Sequence, residues 1–319
     1  MQLQRWPGRR TMTSIDETIS RRLLFAIVLT AITLVAEIIG GIWSNSLALL
    51  SDAGHVFLDL FAQVLSLGAI KLAAQPPGEH HSYGWHRAEV LASLINGLTV
   101  LLMTAGILYE GSKRLISPEE VQTTPMLVVA VLGLVANLLA AKALHGHAHD
   151  DLNVKSAFFH VLGDAAASVG VIAGALLMRY TGWYQADPII SIAIGLLILT
   201  GAGRLLREAI HILMEGVPRG LSVEHVAANI RAIEGVLDVH HLNIWSVCSH
   251  ILALSAHVEI KPEHDGKRGQ LMHRIEHDLQ HNFHITHTTI QFDCSTCNGG
   301  PLIKELSHTE RHAGRSGHE

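Results

Sequence analysis

Charge is scarce in this chain. Asp, Glu, Lys and Arg make up 16% of its 319 residues, while 49% are hydrophobic. That balance excludes a single water-soluble globule and fits a polytopic membrane protein with a smaller soluble part. There is no block of Lys or Arg and the net charge is −5, so no nucleic-acid partner is expected. Cysteine is sparse as well: Cys248, Cys294 and Cys297 all lie outside the apolar runs. They fall in a C-terminal third expected in the cytosol, where a structural disulfide is not expected. The first apolar run begins near Arg21 and lacks an Ala-Xaa-Ala end, so it reads as a retained span rather than a cleaved signal. The zinc-protease order His-Glu-Xaa-Xaa-His is absent too; HRIEH (273–277) does not match it.

What the chain has in excess is histidine, with 23 residues. Many sit outside the apolar runs, in EHH (79–81), HGHAHDD (145–151) and the tail. That abundance suggests metal handling, although exposed His tracts are also simply solvated. The sharper signal lies inside two apolar runs. SLALLSDAGHVFLDLFAQVLSLGAI contains His55 and Asp59, and AFFHVLGDAAASVGVIAGALL contains His160 and Asp164. A spacing of four stacks each His over its Asp on one helix face. An ionised Asp near the bilayer centre costs about 2.5–3.5 kcal/mol on the insertion scale. One such pair is explained by His–Asp packing; the same motif on two spans points to a shared ligand. Two imidazoles and two carboxylates form a nitrogen/oxygen set that zinc accepts tetrahedrally. Their summed charge of −2 cancels a divalent cation. The set holds no thiolate, so it suits a site that must release its ion. Asp52 shares the face of His55 and Asp59. It reads either as an entry ligand or acceptor for a ligand His, or as an interfacial helix-end residue.

Apolar segments at 22–43, 47–72, 88–112, 125–145, 154–179 and 187–211 are each long enough to cross a core of about 30 Å. The expected organisation is a mobile N-terminus (1–20), a transmembrane domain (21–215), a soluble domain (216–295) and a disordered His-containing tail (296–319). Arg5, Arg9, Arg10, Arg21, Arg22, Lys71, Arg87, Lys142, Lys155, Arg204 and Arg207 fall on one side, against Lys113, Arg114 and Arg179 on the other. The positive-inside rule then puts both termini in the cytoplasm. After Pro218 the pattern runs helix, strand, strand, helix, strand, as in a small open-faced α/β domain. There His240 and His241 are expected to precede one strand, His257 to sit in the next and Asp293 to end the last. His273, His277 and His281 form a four-spaced row. It reads equally as part of a regulatory metal site or as a solvated helix face. Glu79, His80, His81 and His86 form either a loading site or an ordinary polar loop. Cys294-Ser-Thr-Cys297 has metal spacing but supplies half a site.

SDAGHVFLD, YGWHRAE, FFHVLGDAAASVG, ADPIISI and VHHLNIW together resemble the cation diffusion facilitator family, most closely its bacterial zinc exporters, from about residue 20 to 293. The resemblance implies six transmembrane helices, a cytoplasmic ferredoxin-like domain and a homodimer in a lipid bilayer. The activity it implies is exchange of cytoplasmic Zn2+ for protons, with Cd2+ or Co2+ as further cargo. The transport site it implies is His55, Asp59, His160 and Asp164. A second metal site in the soluble domain follows at His240, His257 and Asp293, with His273 as a further match and Gln291 where some relatives carry His. His81 matches one ligand of a loop site whose second ligand position is Trp85 here. Arg87 and Glu215 match a charge interlock near the dimer interface. Short loops and the lack of targeting segments suggest a bacterial inner membrane. Two rival readings are an intramembrane metalloenzyme, which needs an open metal position and a general base, and a membrane-anchored metal sensor, which needs an effector module.

Overall fold

A computed structural model describes residues 14–145, 152–293 and 300–304. Six helices are long and apolar enough to cross a membrane: α1 (Ser14–Ser44), α2 (Leu47–Ala73), α3 (Arg87–Ile116), α4 (Thr123–His145), α5 (Leu152–Thr181) and α6 (Ala186–Leu213). In hydrocarbon a helix satisfies its own backbone hydrogen bonds, which is why each apolar run folds this way. They extend the expected spans by up to several residues, most at the N-terminus of α1, because polar flanks continue the helix beyond the apolar stretch. Large apolar side chains such as Ile42, Trp43, Tyr109 and Leu197 point outward and are exposed, as expected where lipid is the solvent. HGHAHDD beyond His145, Cys294, Cys297, most of the N-terminal segment and the tail beyond Lys304 lie outside the described residues.

The chain divides into two compact units, Met1–Leu65 with Ile95–Arg204, and Ser66–Leu94 with Leu205–Glu319. In the first unit α4 packs against α1 and α5. Small residues at the contact let the backbones approach: Ala130, Ala136, Ala140 and Ala141 are buried, and a Cβ on Gly40 would meet the side chain of Val129. A core of Ala48, Leu49, Met126, Val171, Ala175 and Met178 fills the space near the α1–α2 turn.

That turn is held by a dense polar network. Asn45 adopts left-handed φ of 56° and ends α1, a conformation Asn tolerates. Asp187, fully buried at the start of α6, accepts from Ser46 Oγ (2.6 Å), Leu47 N (2.7 Å) and Ala48 N (3.2 Å). Its carboxylate therefore occupies the positive N-terminal end of α2, where free N–H groups need an acceptor. Arg114 donates to the Asn45 carbonyl (2.8 Å) and side chain (3.0 Å), and pairs with Glu110 and Glu119.

The second unit contains α7 (Val223–Arg231), β1 (Val236–Cys248), β2 (Ile251–Ile260), α8 (Arg268–Phe283) and β3 (Ile285–Asp293). The sheet order is β1-β2-β3, with β1/β2 antiparallel and β2/β3 parallel. The helix-strand-strand-helix-strand order is thus present. One inward face of the sheet and the apolar stripes of α7 and α8 meet in a core of Val226, Ile230, Leu242, Leu254, Ile275 and Leu279. Ser222 caps α7, accepting from His225 N at 3.4 Å. Pro301 and Leu302 carbonyls accept from His241 N and Leu242 N at 3.1 and 2.7 Å, so this part of the C-terminal segment lies against β1.

Asp187→Ala removes an ionised acceptor from the N-terminus of α2 and leaves buried donors unpaired. It should lower unfolding stability by about 2–3 kcal/mol, read as a reduced thermal midpoint of the detergent-solubilised protein.

Candidate metal centre

The structure brings the two His-Xaa-Xaa-Xaa-Asp motifs together. Asp59 Oδ2 lies 3.6 Å from His55 Nε2 and 3.5 Å from His160 Nε2. His160 Nε2 is also 3.7 Å from Asp164 Oδ2. The His55 and His160 rings meet edge to face with centroids 6.3 Å apart. Ligand atoms at about 2.0–2.2 Å from a tetrahedral zinc lie about 3.3–3.6 Å from one another. Three of the six edges, at 3.5–3.7 Å, are close to that length, but the four ligand atoms do not all lie within 4.8 Å of one another as those of the soluble-domain histidines do. Side chains of His55, Asp59 and His160 are 33, 32 and 39% exposed, against 6% for Asp164. The set is therefore open on one side and closed behind Asp164. Asp52 is 3% exposed, and its Oδ1 has no hydrogen-bond partner among the described residues.

The soluble domain holds a second cluster. His240 Nε2 and His257 Nδ1 lie 3.2 and 3.0 Å from the same oxygen, Asp293 Oδ2. Sheet pairing explains this: His240 faces His257 across β1/β2, and Glu259 pairs with Asp293 across β2/β3. His240 and His241 lie inside β1, not before it as expected from sequence, and an irregularity in the pairing falls between His240 and Asn243. His241 takes left-handed φ of 50° there. Neighbouring side chains in a regular strand point to opposite faces; the irregularity instead leaves the His241 ring 5.0 Å from His240 and 4.9 Å from His257. Ligand atoms of His240, His241 and His257 all lie within 4.8 Å of one another. Alternation alone had not singled out His241; the signal was the His-His pair itself.

Electrostatics favour the metal-ready forms. Burial opposes ionisation of Asp293. Hydrogen bonds from Gln291 and from His257, with the charge of His257 and the His240 bond, outweigh it and hold the carboxyl below its ordinary value. Gln291 Nε2 donates to Asp293 Oδ1 at 2.9 Å, so it orients the carboxylate instead of offering a ligand nitrogen. Burial, followed by the neighbouring charges of His240 and His257, pushes His241 down and keeps its ring neutral more readily. Both shifts leave lone pairs free.

Other expected residues fall elsewhere. His273 pairs with Glu276 at 3.7 Å and is highly exposed. It lines a separate shallow cavity with His277 and Asp278 and is not in the His240 cluster. The four-spaced row is exposed on α8, with the His277 and His281 rings stacked 6.0 Å apart. The His81 ring lies 3.9 Å from that of Trp85, and no metal-holding group includes Glu79, His80, His81 or His86 among the described residues. Arg87 Nη2 meets Glu215 Oε1 at 2.9 Å. Both side chains are substantially exposed, so the pair itself contributes at most about 1 kcal/mol.

Residues 23–214 match the model of the cation efflux transmembrane domain, and residues 218–294 match that of the cation efflux protein cytoplasmic domain. The chain belongs to the cation efflux family. It is an integral membrane protein. It is 41% identical over 281 residues to a zinc transporter ZitB of Pectobacterium atrosepticum, covering 88% of this chain and 87% of that one. The ZitB of Escherichia coli is 38% identical, covering 89% of this chain and 90% of that one. A protein of Bacillus subtilis named cadmium, cobalt and zinc/H(+)-K(+) antiporter is 37% identical, covering 86% of this chain and 89% of that one.

Because the Asp293 value is depressed in the folded state, its stabilising contribution is complete above the ordinary carboxylate pKa of about 3.9. It is lost as pH falls through the lower folded value. Metal-free unfolding followed from about pH 5 to pH 2 should show this acid-side loss, and Asp293→Asn should flatten it.

Proposed function

We propose that this protein exports zinc, exchanging cytoplasmic Zn2+ for protons across a bacterial inner membrane. The quartet His55, Asp59, His160 and Asp164 carries the ion. The observation behind this reading is Asp59 Oδ2 lying 3.6 and 3.5 Å from the Nε2 atoms of His55 and His160, with Asp164 Oδ2 3.7 Å from the same His160 nitrogen. Names of the relatives, which include zinc transporters and an antiporter of cadmium, cobalt and zinc, support the cargo and the exchange. Cd2+ and Co2+ are secondary cargo. The matched soluble-domain model supports a homodimer. On this reading 21–215 is the transport domain, 216–295 is a cytoplasmic metal-sensing domain, and both termini face the cytoplasm.

Zinc needs a bare nitrogen on each imidazole and ionised carboxylates. Protons compete for those same lone pairs. Loading zinc releases protons, and protons arriving from the opposite side displace zinc; the coupling is reciprocal. No separate proton wire is required. Alternating access about a midplane site completes the cycle. The second cluster, at His240, His257 and Asp293 with His241 beside it, senses cytoplasmic metal and tunes the rate.

Asp59→Ala and Asp164→Ala should each abolish zinc flux in proteoliposomes while the protein still inserts, since the loaded site would hold uncompensated positive charge. Near wild-type flux in either variant would remove the quartet from the ion path. For the exchange itself, zinc flux at clamped voltage should fall when pH is raised on the side receiving zinc. Flux indifferent to the proton gradient would leave a uniporter or a channel.

A further inference from the structure

The soluble domain offers a ligand set different from the one that the family resemblance implies. Asp293 Oδ2 lies 3.2 Å from His240 Nε2 and 3.0 Å from His257 Nδ1. A carboxylate accepts, so each of those nitrogens carries the proton of its neutral ring. The lone pairs then stand on the other nitrogens, His240 Nδ1 and His257 Nε2. His240 Nδ1 is buried and has no hydrogen-bond partner among the described residues, on a side chain only 4% exposed. A buried polar atom of this kind requires a partner. His241 brings a third ring. Its left-handed φ of 50° is uncommon for a residue with a Cβ and persists where the surroundings impose it. The backbone N–H groups of His241 and Leu242 donate to the carbonyls of Pro301 and Leu302, which hold the irregular stretch of β1. Gly300 lies against the His241 ring: a Cβ there would stand 2.5 Å from Nε2. The C-terminal segment thus fixes the strand and, by lacking a side chain at 300, leaves the ring its place.

We propose that His240, His241 and His257 together ligate a divalent cation such as Zn2+, with Asp293 holding two of the rings by their other nitrogens instead of ligating. The inference rests on the reading that the soluble domain binds metal, and it names the ligands. The ligand atoms of the three histidines lie within 4.8 Å of one another, and the ring centroids stand 4.9 to 5.4 Å apart. Tetrahedral zinc needs edges of about 3.3–3.6 Å, so about 1 Å of side-chain movement closes the set. A metal-bound His ordinarily donates its second N–H to a carboxylate, which fixes the tautomer and makes the ligating nitrogen more basic. Asp293 serves His240 and His257 in this way, and Gln291 steadies it through Oδ1. Three protein nitrogens leave one position on zinc open. His241 and His257 line a cavity of about 730 Å3 shared with Arg87 and Lys304. Water or a small anion from that cavity takes the fourth position, so the ion exchanges without movement of the sheet.

The test uses the full-length protein in detergent, carrying Asp59→Ala with Asp164→Ala so that the membrane quartet is disabled, with Zn2+ and Co2+ as probes. X-ray absorption at one equivalent of zinc should count three imidazoles per ion, falling to two in His241→Ala. Asp293→Asn should keep one ion and weaken its binding about 10–100-fold, whereas His241→Ala should lose more Co2+ affinity than that. Gly300→Ala, which crowds His241 Nε2, should weaken binding as well. Two imidazoles with a carboxylate, or unchanged affinity in His241→Ala, would overturn the proposal and return Asp293 to the ligand set. So would loss of the ion in Asp293→Asn with retention in His241→Ala. The imidazole count needs no substitution in the soluble domain, so it decides the matter even if His241→Ala does not fold. Failure of the underlying reading shows separately: a quartet-disabled protein that binds no ion at all would overturn metal binding by the soluble domain, and this ligand set with it.

Discussion

The cost of placing charge in a medium that cannot solvate it governs this molecule. Each carboxylate in the apolar helices must find a positive charge, a set of donors or a cargo. Asp187 finds donors, the Ser46 hydroxyl and the first N–H groups of α2. Asp59 and Asp164 find imidazoles at distances too long for good hydrogen bonds and close to the edges of a tetrahedron. Glu37 and Asp52 each leave one oxygen unpartnered.

Much of this was legible in the sequence because the signals were strong and local. Hydrocarbon admits few backbone conformations, so six long apolar runs became six helices with only their ends displaced. His55 with Asp59, and His160 with Asp164, were visible because four-residue spacing is a helical contact, and the same pair occurred twice. The parts that were hidden depend on tertiary contact. Glu37 is one acid in an apolar helix, and nothing local shows that Gly133 leaves space for it. Nothing local to Asp187 shows that the α1–α2 turn folds onto it. His241 could be placed only once the strand irregularity was seen to leave its ring beside those of its neighbours. For His81 and His273 His composition does not report orientation: one stacks on Trp85 and the other faces solvent.

The two histidine clusters are built for different work. In the soluble domain, sheet pairing fixes His240 opposite His257, and Asp293 bridges them with Gln291 holding its other oxygen. Such a site can change its occupancy without changing its shape. The membrane quartet draws its side chains from α2 and α5, with no backbone hydrogen bonds between the two helices among the described residues. Its geometry depends on how those helices lean, so moving one relative to the other changes the Asp59–His160 separation while each pair within a helix is kept.

The Asp187 cap therefore has a mechanical consequence. It fixes the first turn of α2 to α6, while Asp59 lies twelve residues further along α2, about 18 Å away at 1.5 Å per residue. With the cap as fulcrum, α2 is a lever. A tilt of about 10° over that arm would displace the Asp59 carboxylate by about 3 Å, more than a zinc–oxygen bond length. A rotation too small to disturb packing at the fulcrum is thus enough to part Asp59 from His160 at its far end.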